Sequence, residues 1–67
     1  PNPSDGNIVI DQRFAGAQLS VFNAMGELVY SGIINNQKID LTSLSAGLYL
    51  LQINDGLEIF AGKVLIR

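Results

Sequence analysis

The stretch that decides the fold is residues 42–53, which read TSLSAGLYLLQI. The second half alternates, so that one face of an extended strand would carry Tyr49, Leu51 and Ile53. The first half, residues 42–47, is too long for a tight hairpin and not apolar enough for a strand. The length of this connection favours a crossover between two sheets over a hairpin.

The same stretch predicts a specific corner in the chain. We expect one short helical turn in residues 42–47, with Leu44 under the sandwich and Gly47 reversing the chain. Tyr49 follows at the start of a strand, as in the tyrosine corner of immunoglobulin-like folds, where the phenol bonds back to upstream backbone. One backbone hydrogen bond together with a buried aromatic ring would give Tyr49 a structural role.

Period-two patterning continues on both sides of this stretch. Strand-forming side chains alternate in residues 7–11, 18–23, 27–31, 37–41, 57–61 and 63–66. No window shows the spacing of an amphipathic helix. The chain is therefore predicted to be all-β, an immunoglobulin-like antiparallel β-sandwich of about seven short strands. Its core is expected to contain Ile8, Leu19, Val21, Leu28, Ile39, Leu41, Leu44, Tyr49, Leu51 and Ile53.

Glycine and asparagine mark the turns between these runs. Residues 23–26, NAMG, fit a hairpin loop in which Gly26 adopts the left-handed conformation. Residues 54–56, NDG, predict a type I′ hairpin, and Asn35-Asn36 is a weaker signal of the same kind. A turn role also accounts for Gly6, Gly47 and Gly56 without any binding partner. No role is assigned to residues 32–37.

The composition excludes several classes of function. The 67 residues allow one domain and include neither cysteine nor histidine, which removes disulfides, thiolate metal sites and the commonest general base. A net charge of −2 argues against a nucleic-acid partner. Ser43 and Ser45 have no base beside them, and Asp5, Asn7 and Asp11 lack calcium-loop spacing. The sequence predicts no enzyme, no cofactor, no metal and no small-molecule substrate, with a monomer as the default state.

The N-terminal residues Pro1, Asn2 and Pro3 suit a linker that meets a domain, because two prolines favour extended backbone. We therefore expect a terminal module excised from a longer cargo protein. The apolar runs, such as residues 8–10 and 64–66, are far shorter than the about 20 residues of a membrane-spanning helix.

Four segments, in order along nearly the whole chain, resemble the C-terminal sorting domains of the type IX secretion system (type A, Por secretion system family). They are residues 1–10, PNPSDGNIVI; residues 19–30, LSVFNAMGELVY; residues 39–49, IDLTSLSAGLY; and residues 63–67, KVLIR. The third, with its leucines and Gly-X-Tyr at fixed spacing, is the most distinctive.

The resemblance implies that residues 1–67 form a single sorting domain that directs a cargo protein across the outer membrane of a Bacteroidota bacterium. The implied partners are the type IX translocon and shuttle proteins of the outer membrane, and a cell-surface sortase that removes the domain. The implied locations are the periplasm in transit and then the cell surface or the extracellular space.

Recognition by the translocon is expected on the terminal strand, which consists of Lys63, Val64, Leu65, Ile66 and Arg67. Gly62 would permit a bulge, after which Val64 and Ile66 face inward and the other side chains outward. A strand at the chain end is expected at a sheet edge, where a partner can add by β-augmentation and cations add guidance. The second candidate segment is Pro1, Asn2 and Pro3.

The alternative function is that of an adhesive or carbohydrate-binding immunoglobulin-like accessory module of a secreted enzyme. Sugar sites commonly present exposed aromatic platforms, whereas this chain has three Phe, two Tyr and no Trp. A structural spacer is a third interpretation, disfavoured by the terminal segment that resembles the sorting domains.

Overall fold

The computed structural model describes residues 5–67 and shows an antiparallel all-β domain. Its strands are β1 Asn7–Val9, β2 Gln18–Phe22, β3 Leu28–Ile33, β4 Lys38–Asp40, β5 Gly47–Asn54 and β6 Ile59–Ile66. One 3₁₀ turn, Gln12–Phe14, lies between β1 and β2. No α-helix occurs in residues 5–67, so the predicted fold class is confirmed.

The strands form a four-stranded sheet in the order β3-β2-β5-β6 and a two-stranded sheet of β1 and β4. Since β4 and β5 belong to different sheets, the predicted crossover at residues 42–47 is confirmed. The arrangement is compatible with an immunoglobulin-like sandwich. The crossover contains no helix, and a single turn is present at its start. This turn is closed by a hydrogen bond of 3.0 Å from the Leu44 amide to the Leu41 carbonyl.

The predicted tyrosine corner is present. The Tyr49 hydroxyl donates a hydrogen bond of 2.6 Å to the Ser45 carbonyl, and its ring is buried. Leu44 is partly buried and packs against the core. Gly47, which is predicted to reverse the chain, is the first residue of β5 and has a φ of 157°.

The core lies between the two sheets. Its buried apolar residues are Ile8, Ile10, Phe14, Ala17, Leu19, Val21, Ile34, Ile39, Leu41, Tyr49, Leu51, Ile53, Val64 and Ile66. Leu28 was expected there, but its side chain is 56% exposed. The pairing of β2 with β3 passes from Val21↔Tyr30 to Phe22↔Leu28, so Val29 is an extra residue and Leu28 turns to the outer face.

The predicted break at Gly62 is wrong, and this lowers the number of strands from the expected seven to six. The pairing of β5 with β6 runs without a shift from Leu50↔Lys63 through Leu51↔Gly62 to Gln52↔Ala61. Residues 57–61 and 63–66 were read as two strands because a glycine separates them. Most of both belongs to one continuous strand, β6.

Both predicted hairpins are present, with one correction. Gly26 has a φ of 84° and its amide bonds to the Asn23 carbonyl at 3.0 Å, as expected for the loop after β2. Asn54 pairs with Ile59, so the β5–β6 loop comprises residues 55–58. Within residues 5–67 no residue other than glycine has a positive φ, so this loop is not the predicted type I′ turn.

The Asn35-Asn36 segment joins β3 to β4, which lie in different sheets, so it is not a hairpin turn. The adjoining Ile34 is only 2% exposed. The sequence predicts no role for residues 32–37, whereas the buried Ile34 side chain gives this segment a structural one.

Candidate recognition surface

The terminal strand has the predicted inward and outward alternation. Val64 and Ile66 are 5% and 3% exposed, whereas Lys63 and Arg67 are exposed and Leu65 is half-buried. In the part of the chain that the structure describes, β6 is the outermost strand of its sheet, after β5. The chain therefore exposes one cation on β6, Lys63, and a second, Arg67, directly after the strand.

The second candidate segment, Pro1, Asn2 and Pro3, lies outside the described residues. Close to it, Gly6 has a φ of 104°, and a Cβ built on it would lie 2.9 Å from the Thr42 Cα. The Gly6 carbonyl also accepts a 2.7 Å hydrogen bond from the Leu41 amide. Close packing of backbone against backbone, as well as turn geometry, therefore requires glycine at this position.

The outer face of the four-stranded sheet carries exposed apolar side chains that were not predicted as a surface. The strand register places Leu28, Phe22 and Leu50 in one row across β3, β2 and β5. Leu28 and Leu50 are 56% and 37% exposed. The sequence signal for this surface is residues 48–51, LYLL, which place apolar side chains on both faces of one strand. In a two-layer fold only one face of such a strand is buried, so the apolar side chains of the other face remain exposed.

A groove opens beside Gly62, on the side of the sandwich where β1 and the 3₁₀ turn face β6. Its volume is about 500 Å³. Gly62 lies on the inward face of β6, and a Cβ built there would meet no atom within 4 Å. We call this space the Gly62 groove. Its apolar walls are formed by Ile8, Phe14, Leu51, Ile53, Phe60 and Val64.

One cationic side chain, that of Arg13, lines the Gly62 groove. Lys63 also borders this space, but it pairs with Leu50, so its side chain lies on the opposite, outer face of β6. The Arg13 guanidinium carbon lies 4.6 Å from the ring centroid of Phe14 and 5.7 Å from that of Phe60. The two rings meet edge to face with centroids 4.9 Å apart. Cation–π attraction therefore holds the guanidinium over the aromatic wall. The sequence pattern indicates Lys63 but gives no signal for Arg13, because the position of Arg13 depends on contact with the distant Phe60.

Several carboxylates of the described chain serve as caps for its turns. Hydrogen bonds from the Asn7 backbone and side chain lower the pKa of Asp5. The Thr42 hydroxyl and amide lower the pKa of Asp40, and the amides of Glu58 and Leu57 lower that of Asp55. A carboxylate that accepts such bonds is stabilised in its charged form. Within residues 5–67 no group of acidic side chains could hold a metal ion.

A small antiparallel sandwich with exposed apolar side chains, an apolar groove and exposed cations is typical of a protein-binding module. The model of the secretion system C-terminal sorting domain family matches residues 1–67. The chain belongs to this family, and it is a C-terminal sorting signal for type IX secretion. A comparison with curated proteins finds no match.

Membership of this family implies a destination for the protein and a general class of partner. Export through this system leads to the cell surface or the extracellular space and requires interaction with the secretion machinery. No helix in residues 5–67 is long and apolar enough to cross a membrane.

Proposed function

We propose that residues 1–67 act as the sorting module of a longer cargo protein, and that the folded domain is what the outer-membrane translocon and its shuttle proteins recognise. The family match over residues 1–67 is the observation that carries this proposal. The route passes through the periplasm, and a cell-surface sortase then removes the domain. Every step that the domain itself performs is binding, so the role requires no catalytic residue.

We infer that the translocon recognises the exposed side chains of the terminal strand. Lys63 on β6 and Arg67, the residue after β6, are exposed and can attract an acidic partner surface. Val64 and Ile66 are buried, so they support the strand from inside. Pro1, Asn2 and Pro3 remain the second proposed contact.

The carbohydrate-binding alternative has little support in the surface of the described chain. Phe14 and Tyr49 are buried, and Phe22, Tyr30 and Phe60 are half-buried. Sugar binding by stacking needs an accessible aromatic face, and none of these rings is fully exposed.

The test is to fuse residues 1–67 to the C-terminus of a fluorescent protein that a separate signal brings to the periplasm of a type IX-competent bacterium. We expect fluorescence outside the cell in the parent strain and retention in a strain that lacks the translocon. The same fluorescent protein without residues 1–67 is the control for leakage. Retention of the fusion in the parent strain would contradict the proposal.

A further inference from the structure

We propose that the Gly62 groove receives an extended segment of a partner protein in which a bulky apolar side chain is flanked by carboxylates. This inference rests on the proposed function, because it names the chemistry with which a component of the secretion machinery would hold the folded domain. The proposed site lies on the inward face of β6, and it is therefore distinct from the exposed charges of the terminal strand.

The first argument is the glycine itself. Gly62 lies in the interior of β6 without a positive φ, and a Cβ at this position would meet no atom within 4 Å. Neither backbone conformation nor packing therefore requires glycine, although glycine weakens a strand interior. By contrast, Gly6 has both a positive φ and a backbone atom 2.9 Å from the Cβ position. The effect of glycine at position 62 is to keep the groove open.

The second argument is the apolar character of the groove. Its walls include Ile8, Leu51 and Val64, each less than a tenth exposed, together with the rings of Phe14 and Phe60. A volume of about 500 Å³ lies within the range of ligand sites. An occupant that buries one or two apolar side chains would be stabilised there by removal of their surface from water.

The third argument is charge complementarity. Arg13 is the cation whose side chain lines the groove, since that of Lys63 lies on the outer face of β6 with Leu50. Among the described residues no carboxylate lines the groove. The neighbouring Asp11 carboxylate accepts a 2.9 Å hydrogen bond from the Arg13 amide, so it caps the 3₁₀ turn. The guanidinium is held over two rings and needs little further ordering to receive a carboxylate. The complementary occupant is therefore acidic as well as apolar.

A second copy of the chain is the competing occupant. Leu57 at the tip of the β5–β6 hairpin is 94% exposed and precedes Glu58. However, the Asp55 carboxylate already accepts hydrogen bonds from the amides of Leu57 and Glu58, which closes the tip into a tight loop. A groove that runs along a strand fits an extended segment better than a closed tip.

The binding test uses residues 1–67 and three capped peptides, GELEG, GKLKG and GESEG, followed by NMR of the backbone amides. We expect GELEG to shift the amides of Phe14 and Gly62, and to bind at least tenfold more tightly than the other two. Gly62→Val should fill the groove and weaken GELEG binding at least tenfold. Ser20→Val, on the outer face of the same sheet, is the control for added bulk. Equal binding of the three peptides would overturn the proposal.

Arg13→Gln is the second variant, because Arg13 is exposed and its replacement leaves the apolar walls in place. It should weaken GELEG binding severalfold, whereas Lys38→Gln, which removes an exposed cation outside the groove, should leave binding unchanged. Unchanged binding by the Arg13→Gln variant would overturn the charge argument and with it the stated chemistry of the partner.

The export assay distinguishes failure of the groove proposal from failure of the proposed sorting function. If the parental fusion is exported and the folded Gly62→Val fusion is retained, the groove is a recognition site. If both are exported at the same rate, the groove proposal fails while the sorting function stands. If the parental fusion itself is retained, the sorting function fails. Self-association abolished by both Leu57→Ser and Gly62→Val would assign the groove to a second copy and overturn the partner proposal.

Discussion

The Tyr49 hydroxyl lies 2.6 Å from the Ser45 carbonyl oxygen, to which it donates a hydrogen bond. The bond joins the start of β5 to the crossover that leads from the two-stranded sheet. Because Tyr49 is 6% exposed and belongs to the core, this bond ties the crossover to the core.

Tyr49→Phe should lower the free energy of unfolding by about 0.5–1.5 kcal/mol, the net value of one hydrogen bond. Urea denaturation measures this change, and Tyr30→Phe, at a half-buried ring in β3, is the matched control. Export of the fusion should persist if the variant folds. A folded Tyr49→Phe domain that is not exported would show that the tyrosine is part of the signal.

Leu41→Ala should lower the free energy of unfolding by about 2–5 kcal/mol, because it leaves a cavity in the core. Leu41 is 1% exposed, whereas Leu28 is 56% exposed on the outer sheet face. Leu28→Ala should therefore change stability by about 0.5 kcal/mol or less. Thermal unfolding monitored by circular dichroism compares the two, and similar losses would contradict the placement of Leu28.

Gly6→Ala should destabilise the domain by about 1–3 kcal/mol, because the φ of 104° is strained for a side chain and the Cβ would meet the Thr42 backbone. Gly62→Ala should be neutral or stabilising by up to about 1 kcal/mol, since its position is open. Urea midpoints of the two variants provide the measurement. The reverse order of stability would refute the roles given to these glycines.

The double variant Lys63→Glu, Arg67→Glu should fold normally, because both side chains are exposed, yet it should accumulate in the periplasm. Reversal of the two charges would oppose approach to an acidic partner surface. Lys38→Glu, an exposed charge reversal on β4, is the control. Export of the double variant at the parental rate would move recognition elsewhere, to Pro1, Asn2 and Pro3 or the Gly62 groove.

Acid should destabilise the domain through its turn-capping carboxylates. The pKa values of Asp5, Asp40 and Asp55 are lowered from 3.8 in the folded state, so each contributes stability above its unfolded pKa. This stability is lost as the pH falls below about 4 and through the folded pKa values. Urea midpoints measured from pH 7 downward should fall in that window.

Asp40→Asn is the control for the acid effect, because asparagine keeps an acceptor oxygen for the Thr42 amide but does not titrate. Its stability should depend less on pH below about 4 than that of the parent. A parental acid response in this variant would show that Asp40 does not contribute.

The strand pattern, the crossover, the corner of Tyr49 and the turn at Gly26 were all predicted from the sequence alone. Each depends on side-chain alternation or on the conformational preference of residues that are neighbours in the chain. The four segments that lie in order along the chain also predicted the family, which the match over residues 1–67 then showed.

The exposure of Leu28 and the continuity of β6 were decided by pairing between strands. Val29 is an extra residue opposite β2, and the resulting shift sends Leu28 outward, which local alternation cannot reveal. Gly62 pairs with Leu51 of β5 without a shift in register, so β6 continues through the glycine.

The sequence by itself determined the strand-forming segments, the turn glycines and the membership of the family, since these depend on local patterns. Only the tertiary structure decided which apolar faces remain in water and that Arg13 and Phe14 meet Phe60 beside Gly62. Those residues lie far apart in the chain, and packing between the 3₁₀ turn and β6 brings them together. The physical reason is that a groove is a property of the contacts between elements, and not of any one element.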